Sequence, residues 1–371
     1  MKKILLASVA LTAFAGAAAA EVSFKGDAVL GYNDDAGGDY DGFYWDATLN
    51  VGYEQALDNG LTAGVKFNVD IQEDGTAQDS TAGNTNLNAD DWQLYIKSDV
   101  ASLTFGDTTT AAGNMWAAAG DMESDGFTTD PTDYTAASDV DGVLRADVTF
   151  GNVTAAISSV ISSDSGTAEA EQTSVGIKAD LGAVTIVAAY EEATTVLVEA
   201  GDANDDEIFG LSAAFSAAGA DFVVAYAEDE NSDSTGLKVT YPMGDVKVAA
   251  YYVSESVGDD NYGVNVAYAA GAVAVALDYQ DDQGVTKVGL DGSYDMGNGL
   301  TLLAGMYDQS GDTTAANNGT DTYAAVSYTL GGGASLLVSF ADAETAGAIA
   351  DDEVGGPDYQ NGTTVAVSFA F

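Results

Sequence analysis

Leu61-Thr62-Ala63-Gly64-Val65-Lys66-Phe67-Asn68-Val69-Asp70-Ile71 decides the fold. Its odd positions are apolar; its even positions are polar or small. Successive side chains of a strand point to opposite faces, so this period of two gathers every apolar group on one face. The stretch reads as a strand with one dry side and one wet side. Phe43 to Tyr53, Val184 to Tyr190 and Val273 to Tyr279 repeat the pattern. About 20 such segments of about 9–12 residues fill the chain, the length a tilted strand needs to cross a bilayer.

The connections alternate as well. Short turns such as Gly151-Asn152, Met243-Gly244 and Ala270-Gly271 are followed by longer, acid-rich stretches at 33–41, 73–88, 193–206, 309–320 and 343–361. Short turns at one end and long loops at the other describe an all-β, transmembrane, antiparallel up-and-down β-barrel. One connection stands apart: Asp107 to Val140, about 34 residues. Irregular loops of that length are uncommon in compact domains and usually functional.

Met1-Lys2-Lys3, the apolar run from Ile4 to Phe14 and Ala18-Ala19-Ala20 read as a secretory signal, residues 1–20, cleaved after Ala20. Residues 21–371 then form one barrel domain, with no composition shift to mark a second. Losing Lys2 and Lys3 takes the net charge from −49 to −51. Such a surface attracts cations and lacks the basic footprint that nucleic acid requires. The chain has no histidine and no cysteine. A Ser-His-Asp triad, a thiol nucleophile and disulfide staples are therefore excluded, and no enzyme is expected.

A secreted sandwich would also alternate, so charge placement has to separate the two. The eight basic residues after the signal are Lys25, Lys66, Lys97, Arg145, Lys178, Lys238, Lys247 and Lys287, and each falls on the polar parity of its strand. Asp27, Asp46, Asp70, Asp91, Asp147, Asp180, Asp278 and Asp291 do the same. A lipid-facing Lys or Arg costs about 2–4 kcal/mol at the bilayer midplane, which a solvated sandwich would not impose. Aromatic residues including Tyr32, Phe43, Phe150, Tyr190, Phe215 and Tyr268 sit near strand ends on the apolar parity, as interfacial girdles require.

Glu21-Val22-Ser23-Phe24-Lys25-Gly26-Asp27-Ala28, Thr104-Phe105-Gly106-Asp107, Ser293-Tyr294-Asp295-Met296-Gly297 and the terminal Val365-Ala366-Val367-Ser368-Phe369-Ala370-Phe371 resemble outer-membrane general porins of the Rhodobacter and Paracoccus type. The resemblance implies a barrel of 16 strands, where segment counting gives about 20. It implies residence in the outer membrane of a Gram-negative bacterium, contact with lipid and lipopolysaccharide, a homotrimer with residues 73–88 as the latch, and assembly-machinery recognition of the C-terminal strand. It also implies that 107–140 folds inward as a constriction loop. Carried over, the loop acids are Asp121, Glu123, Asp125, Asp130 and Asp133. The early-strand bases facing them are Lys25, Lys66, Lys97 and Arg145, which act in selectivity or merely brace the loop.

The expected function is passive diffusion of small hydrophilic solutes through a cation-preferring pore. The alternatives are a substrate-selective channel, with Met115, Trp116, Tyr44, Tyr95 and Tyr251 as an aromatic track for sugars, and a non-conducting structural or adhesive barrel. No cofactor is required. Acidic loops offer hard oxygen ligands, so Asp34, Asp35, Asp39 and Asp41 are candidate calcium ligands, with further clusters at 202–207 and 351–353; none has EF-hand spacing.

Overall fold

The computed structural model describes residues 21–34, 42–73, 85–129, 140–162, 169–194, 206–342, 359 and 361–371. Among the described residues, twenty strands form one antiparallel sheet. In order they are β1 (Glu21–Asn33), β2 (Gly42–Ala56), β3 (Thr62–Glu73), β4 (Thr85–Lys97), β5 (Ala101–Gly106), β6 (Val140–Phe150) and β7 (Val153–Ser162). Then come β8 (Glu169–Asp180), β9 (Val184–Glu191), β10 (Ile208–Ala217), β11 (Ala220–Glu228), β12 (Asp233–Met243), β13 (Val246–Glu255) and β14 (Asn261–Ala270). The last are β15 (Val273–Asp282), β16 (Val285–Gly297), β17 (Leu300–Ser310), β18 (Gly319–Gly331), β19 (Ala334–Asp342) and β20 (Gly362–Ala370). Each pairs with its sequence neighbours, and β1 pairs with β20 from Asp27–Ala370 to Tyr32–Val365, so the sheet closes into a barrel without edges.

Segment counting therefore gives the right size, and the 16 strands implied by the resemblance are too few. Tight turns keep neighbouring segments apart as separate strands. Gln283 (φ 48°) and Gly284 (φ 82°) turn β15 straight into β16, for example.

The apolar parity faces outward. Leu30, Leu94, Leu144, Ile157, Leu237, Leu277 and Leu290 are all exposed on the outer surface. In water that surface would be an aggregation hazard; in a bilayer it is matched to its solvent. All eight bases lie on the opposite parity and face the lumen. Aromatic pairs mark the strand ends, with Tyr32 and Phe43 rings 5.1 Å apart and Phe215 stacked on Phe222 at 5.2 Å.

The closing seam uses the last residue. Gly26 N–H donates to the Phe371 carbonyl at 2.8 Å, and Phe371 N–H returns the bond to the Gly26 carbonyl at 2.8 Å. A Cβ on Gly26 would stand 2.6 Å from the Phe371 ring, so the missing side chain seats that ring against the barrel wall.

Candidate functional site

The long connection leaves β5 at Gly106 and rejoins the wall at β6, and its residues 107–129 are described. Gly106 (φ 132°) and Gly142 (φ 136°) stand back to back at the departure point. A Cβ on Gly106 would fall 2.2 Å from the Trp92 carbonyl oxygen, and one on Gly142 would fall 2.9 Å from Gly106 Cα. Only glycine allows this approach and this backbone, which turns the chain into the lumen.

The loop then docks on the inner wall. A short helix, α1 (Ala111–Met115), begins at Thr110, whose Oγ1 accepts from Gly113 N–H at 3.2 Å. Its next free donors reach the wall: Ala111 N–H to Ser158 Oγ at 2.8 Å and Ala112 N–H to Ser174 Oγ at 2.7 Å. Gly176 admits the helix, since a Cβ there would meet the Ala111 carbonyl oxygen at 2.4 Å. Glu191, fully buried on β9, ties both arms of the loop together. Its Oε1 accepts from Thr128 N–H at 2.9 Å and from Thr128 Oγ1 at 2.5 Å, and its Oε2 lies 2.8 Å from Thr110 Oγ1.

Farther along, Glu255 Oε1 accepts from Glu123 N–H at 3.2 Å, and Ser234 Oγ accepts from Ser124 N–H at 3.0 Å. Apolar contact completes the docking. Ala111 and Met115 pack with Ala156 and Val187. Ala112 and Phe127 pack with Ala189 and Ile208, and Ala119 and Met122 pack with Ala225, Ala227 and Val253. The inner wall is thus apolar where the loop lies on it, against the polar-in rule of the rest. Burying each Met or Phe is worth about 1.5–3 kcal/mol.

The loop covers the β7–β15 side and leaves the β1–β4 side open. There a cavity of about 440 Å³ is lined by Lys25, Asn50, Lys66, Asn68, Asp91 and Gln93 from the wall and by Asp107, Thr108, Thr109 and Thr129 from the loop. The register of β3 on β4 shifts between Lys66 and Asn68, where Asp91 and Trp92 of β4 bulge opposite Phe67 and Asp91 takes φ 50°. Bulges re-aim side chains, and this one brings Asp91 to the cavity, where its Oδ2 accepts from Asn68 Nδ2 at 2.5 Å.

The sequence-predicted residues divide accordingly. Lys25 and Lys66 line the cavity together. Lys97 lies outside it, ion-paired to Glu54 beside the short turns. Arg145 braces the loop, donating from Nη1 to the Thr109 carbonyl at 2.7 Å while Nε pairs with Asp147 at 3.2 Å. Asp121, Glu123 and Asp125 lie away from the lysines. Asp125 accepts from Trp116 Nε1 at 2.8 Å, Glu123 from Asn261 Nδ2 at 3.0 Å, and Asp121 from Gln280 Nε2 at 2.6 Å. The acids that share the lysine cavity are Asp91 and Asp107 instead. Asp130 and Asp133 lie outside the described residues, as do residues 1–20, 74–84, 202–205 and 351–353.

Of the calcium candidates, Asp35, Asp39 and Asp41 also lie outside the described residues. Asp34 Oδ1 accepts from Thr363 N–H at 2.6 Å. Among the described residues no three acidic side chains stand close enough to share a metal ion. The aromatic track is reshaped too. Met115 is buried against the wall, and the Trp116 indole lies over Gly210 and 5.2 Å from Phe127. Tyr44, Tyr95 and Tyr251 lie across their cross-strand partners Gly31, Gly64 and Gly263.

Burial, then the charge of Asp282, push the Asp121 carboxyl up from its ordinary range to about 6; the Gln280 bond pulls the other way and Glu123 adds to the rise. A group raised on docking favours the docked loop once protonated. That advantage is complete below the free-loop value and is lost as pH climbs through about 6. Open-channel current noise from loop motion is expected to fall between pH 7 and pH 5, and Asp121→Asn is expected to flatten this dependence. Noise in that variant that still falls with pH would assign the effect to other groups.

No curated protein matches the chain. Among solved structures, one mutant of the Rh. blastica porin is 19% identical, aligning 74% of this chain with 98% of its own at a TM-score of 0.48. Another mutant is 18% identical over the same shares, with a TM-score of 0.49. A structure described as "Asymmetric conductivity of engineered proteins" is 15% identical, covering 95% of this chain and 100% of its own at a TM-score of 0.45. The sequence model of the Gram-negative porin family matches residues 7–348. That span is nearly the whole chain, so the chain belongs to the Gram-negative porin family, whose members are channels of the outer membrane.

Proposed function

We propose that the pore is a passive, cation-preferring channel for small hydrophilic solutes, with no chemical step of its own. The observation that carries this reading is the charge on the open side of the lumen. Above the lysines on the same inner face, Asp27 on β1 and Asp70 on β3 flank Thr48 of β2 in register, Asp46 stands two residues farther along β2, and Asp91 and Asp107 join the lysines in the cavity. Fixed negative charge along a narrow aqueous path raises the local cation concentration. In a tenfold salt gradient the reversal potential is expected to take the sign of cation selectivity; an anion-selective sign would overturn the reading.

We also propose a homotrimer in the outer membrane, with the connection between β3 and β4 as the latch, residues 85–88 of the expected span belonging to β4 itself, and outer-leaflet lipopolysaccharide around the rim. The family supports the trimer. The resemblance of β20, with Phe369 and the adjoining Phe371, to porin strands supports reading by the barrel-assembly machinery. Calcium at the acidic loops is proposed on sequence grounds alone, and thermal unfolding unchanged by a chelator would remove it.

A further inference from the structure

We propose that Lys25 and Lys66 form a carboxylate-recognising step, so that the pore favours small zwitterions of the α-amino-acid type over neutral solutes of equal size. This rests on the diffusion-channel reading and names its preferred solute class.

Bases are scarce in this chain, and three of the eight described ones are ion-paired: Lys97 with Glu54, Arg145 with Asp147, Lys287 with Asp282. Lys25 and Lys66 are different. Both are exposed to the lumen, and among the described residues neither makes a hydrogen bond or an ion pair. The lack of partners is not for want of acid, since Asp27 follows two positions after Lys25 on the same face. Two uncommitted ammonium groups therefore stand in an acid-rich lumen at the point where the loop narrows it.

The register brings them to one space. Lys25 is opposite Asn50 on β2, and Lys66 is opposite Gly52. Gly52 has no side chain, and Ser23 Oγ occupies the place its Cβ would take, 2.5 Å away. Nothing bulky separates the two lysines across β2. Their shared cavity of about 440 Å³ is within the range of small-molecule pockets. Asp107 and Asp91 border the same space. A solute with a carboxylate and an ammonium meets two positive groups and two negative ones, while the Thr108 and Thr109 loop edge and the amides of Asn50 and Gln93 offer hydrogen bonds. A neutral solute gains only the hydrogen bonds, and a simple anion meets the acidic approach first.

One added charge contact about 6 Å away at water-like screening is worth about threefold. The test is osmotic swelling of vesicles that contain the full-length protein, with L-alanine and lactamide as a zwitterionic and a neutral probe of similar size. Alanine is expected to enter about threefold faster than lactamide, and the ratio is expected to fall to near one in Lys25→Met/Lys66→Met. Lys178→Met removes another lumen-facing lysine that lies outside the cavity and is expected to leave the ratio unchanged. A wild-type ratio near one, or equal loss in Lys178→Met, overturns the proposal while leaving the pore intact. Entry of neither probe overturns the diffusion reading itself. Both lysines are exposed, and the double variant's retained lactamide entry reports that its barrel is assembled.

Discussion

Glu191→Leu is expected to release the constriction loop, raising single-channel conductance and widening the size limit for solutes. The substitution strands Thr128 N–H and Thr128 Oγ1, which now donate to one carboxylate oxygen. Each buried donor left unmade costs about 1–3 kcal/mol, so the docked state loses about 2–6 kcal/mol. Thr110 Oγ1 retains the Thr128 carbonyl at 2.6 Å, and the apolar contacts of Phe127, Met115 and Met122 persist. The loop then samples undocked positions, and the current becomes larger and noisier. Glu191→Gln keeps an acceptor oxygen for Thr128 and is expected to stay close to wild type. Conductance and solute cut-off unchanged in Glu191→Leu would show that the apolar contacts alone hold the loop.

The second large effect concerns the bilayer. Leu277 lies mid-strand on the outer face of β15 and is 46% exposed. Leu277→Lys is expected to destabilise the barrel by about 2–4 kcal/mol in lipid vesicles, the cost of a lysine at the membrane midplane. Its neighbour Ala276 faces the lumen opposite Asp291. Ala276→Lys is therefore expected to change stability little, because the new ammonium stays in water beside a carboxylate. Equal losses in denaturant unfolding would mean that the two faces are not lipid and water.

Much of this arrangement is legible in the chain. The 61–71 stretch shows which face is which, because a barrel wall imposes period two on every strand. It even yields a strand number closer to the structure than the resemblance does, since turn residues record each reversal locally. Parity says nothing, however, about height along the barrel. Lys97 has the right face and the wrong level: it sits at the short-turn end with Glu54, far along the strand from Lys66. Parity puts Asp91 on the inner face, but its place beside the lysines depends on the bulge at Asp91. Its only sequence trace is a parity slip, with Leu87 and Ala89 apolar at odd positions and Trp92 and Leu94 at even ones.

The docking face left a fainter trace. Val187 and Ala189 on β9, and Val223, Ala225 and Ala227 on β11, are apolar on the inner parity as well as the outer. Strands that read apolar on both faces are covered on both faces. Here the second cover is the loop. Glu191 and Glu255 end such strands, yet nothing local distinguishes a carboxylate that anchors backbone N–H groups from one that lies in the water. That distinction depends on a segment 63 residues away in the Glu191–Thr128 pair and 132 residues away in the Glu255–Glu123 pair.

The central claim is that solutes pass between the β1–β4 wall and a loop docked on the opposite wall. The chain has no cysteine, so single cysteines report cleanly. Asn50 lines the open cavity, while Ala227 is fully buried on the docked side. In planar bilayers, a bulky methanethiosulfonate reagent is expected to cut the conductance of Asn50→Cys and leave that of Ala227→Cys unchanged. Reaction and block at Ala227→Cys as fast as at Asn50→Cys would contradict the account.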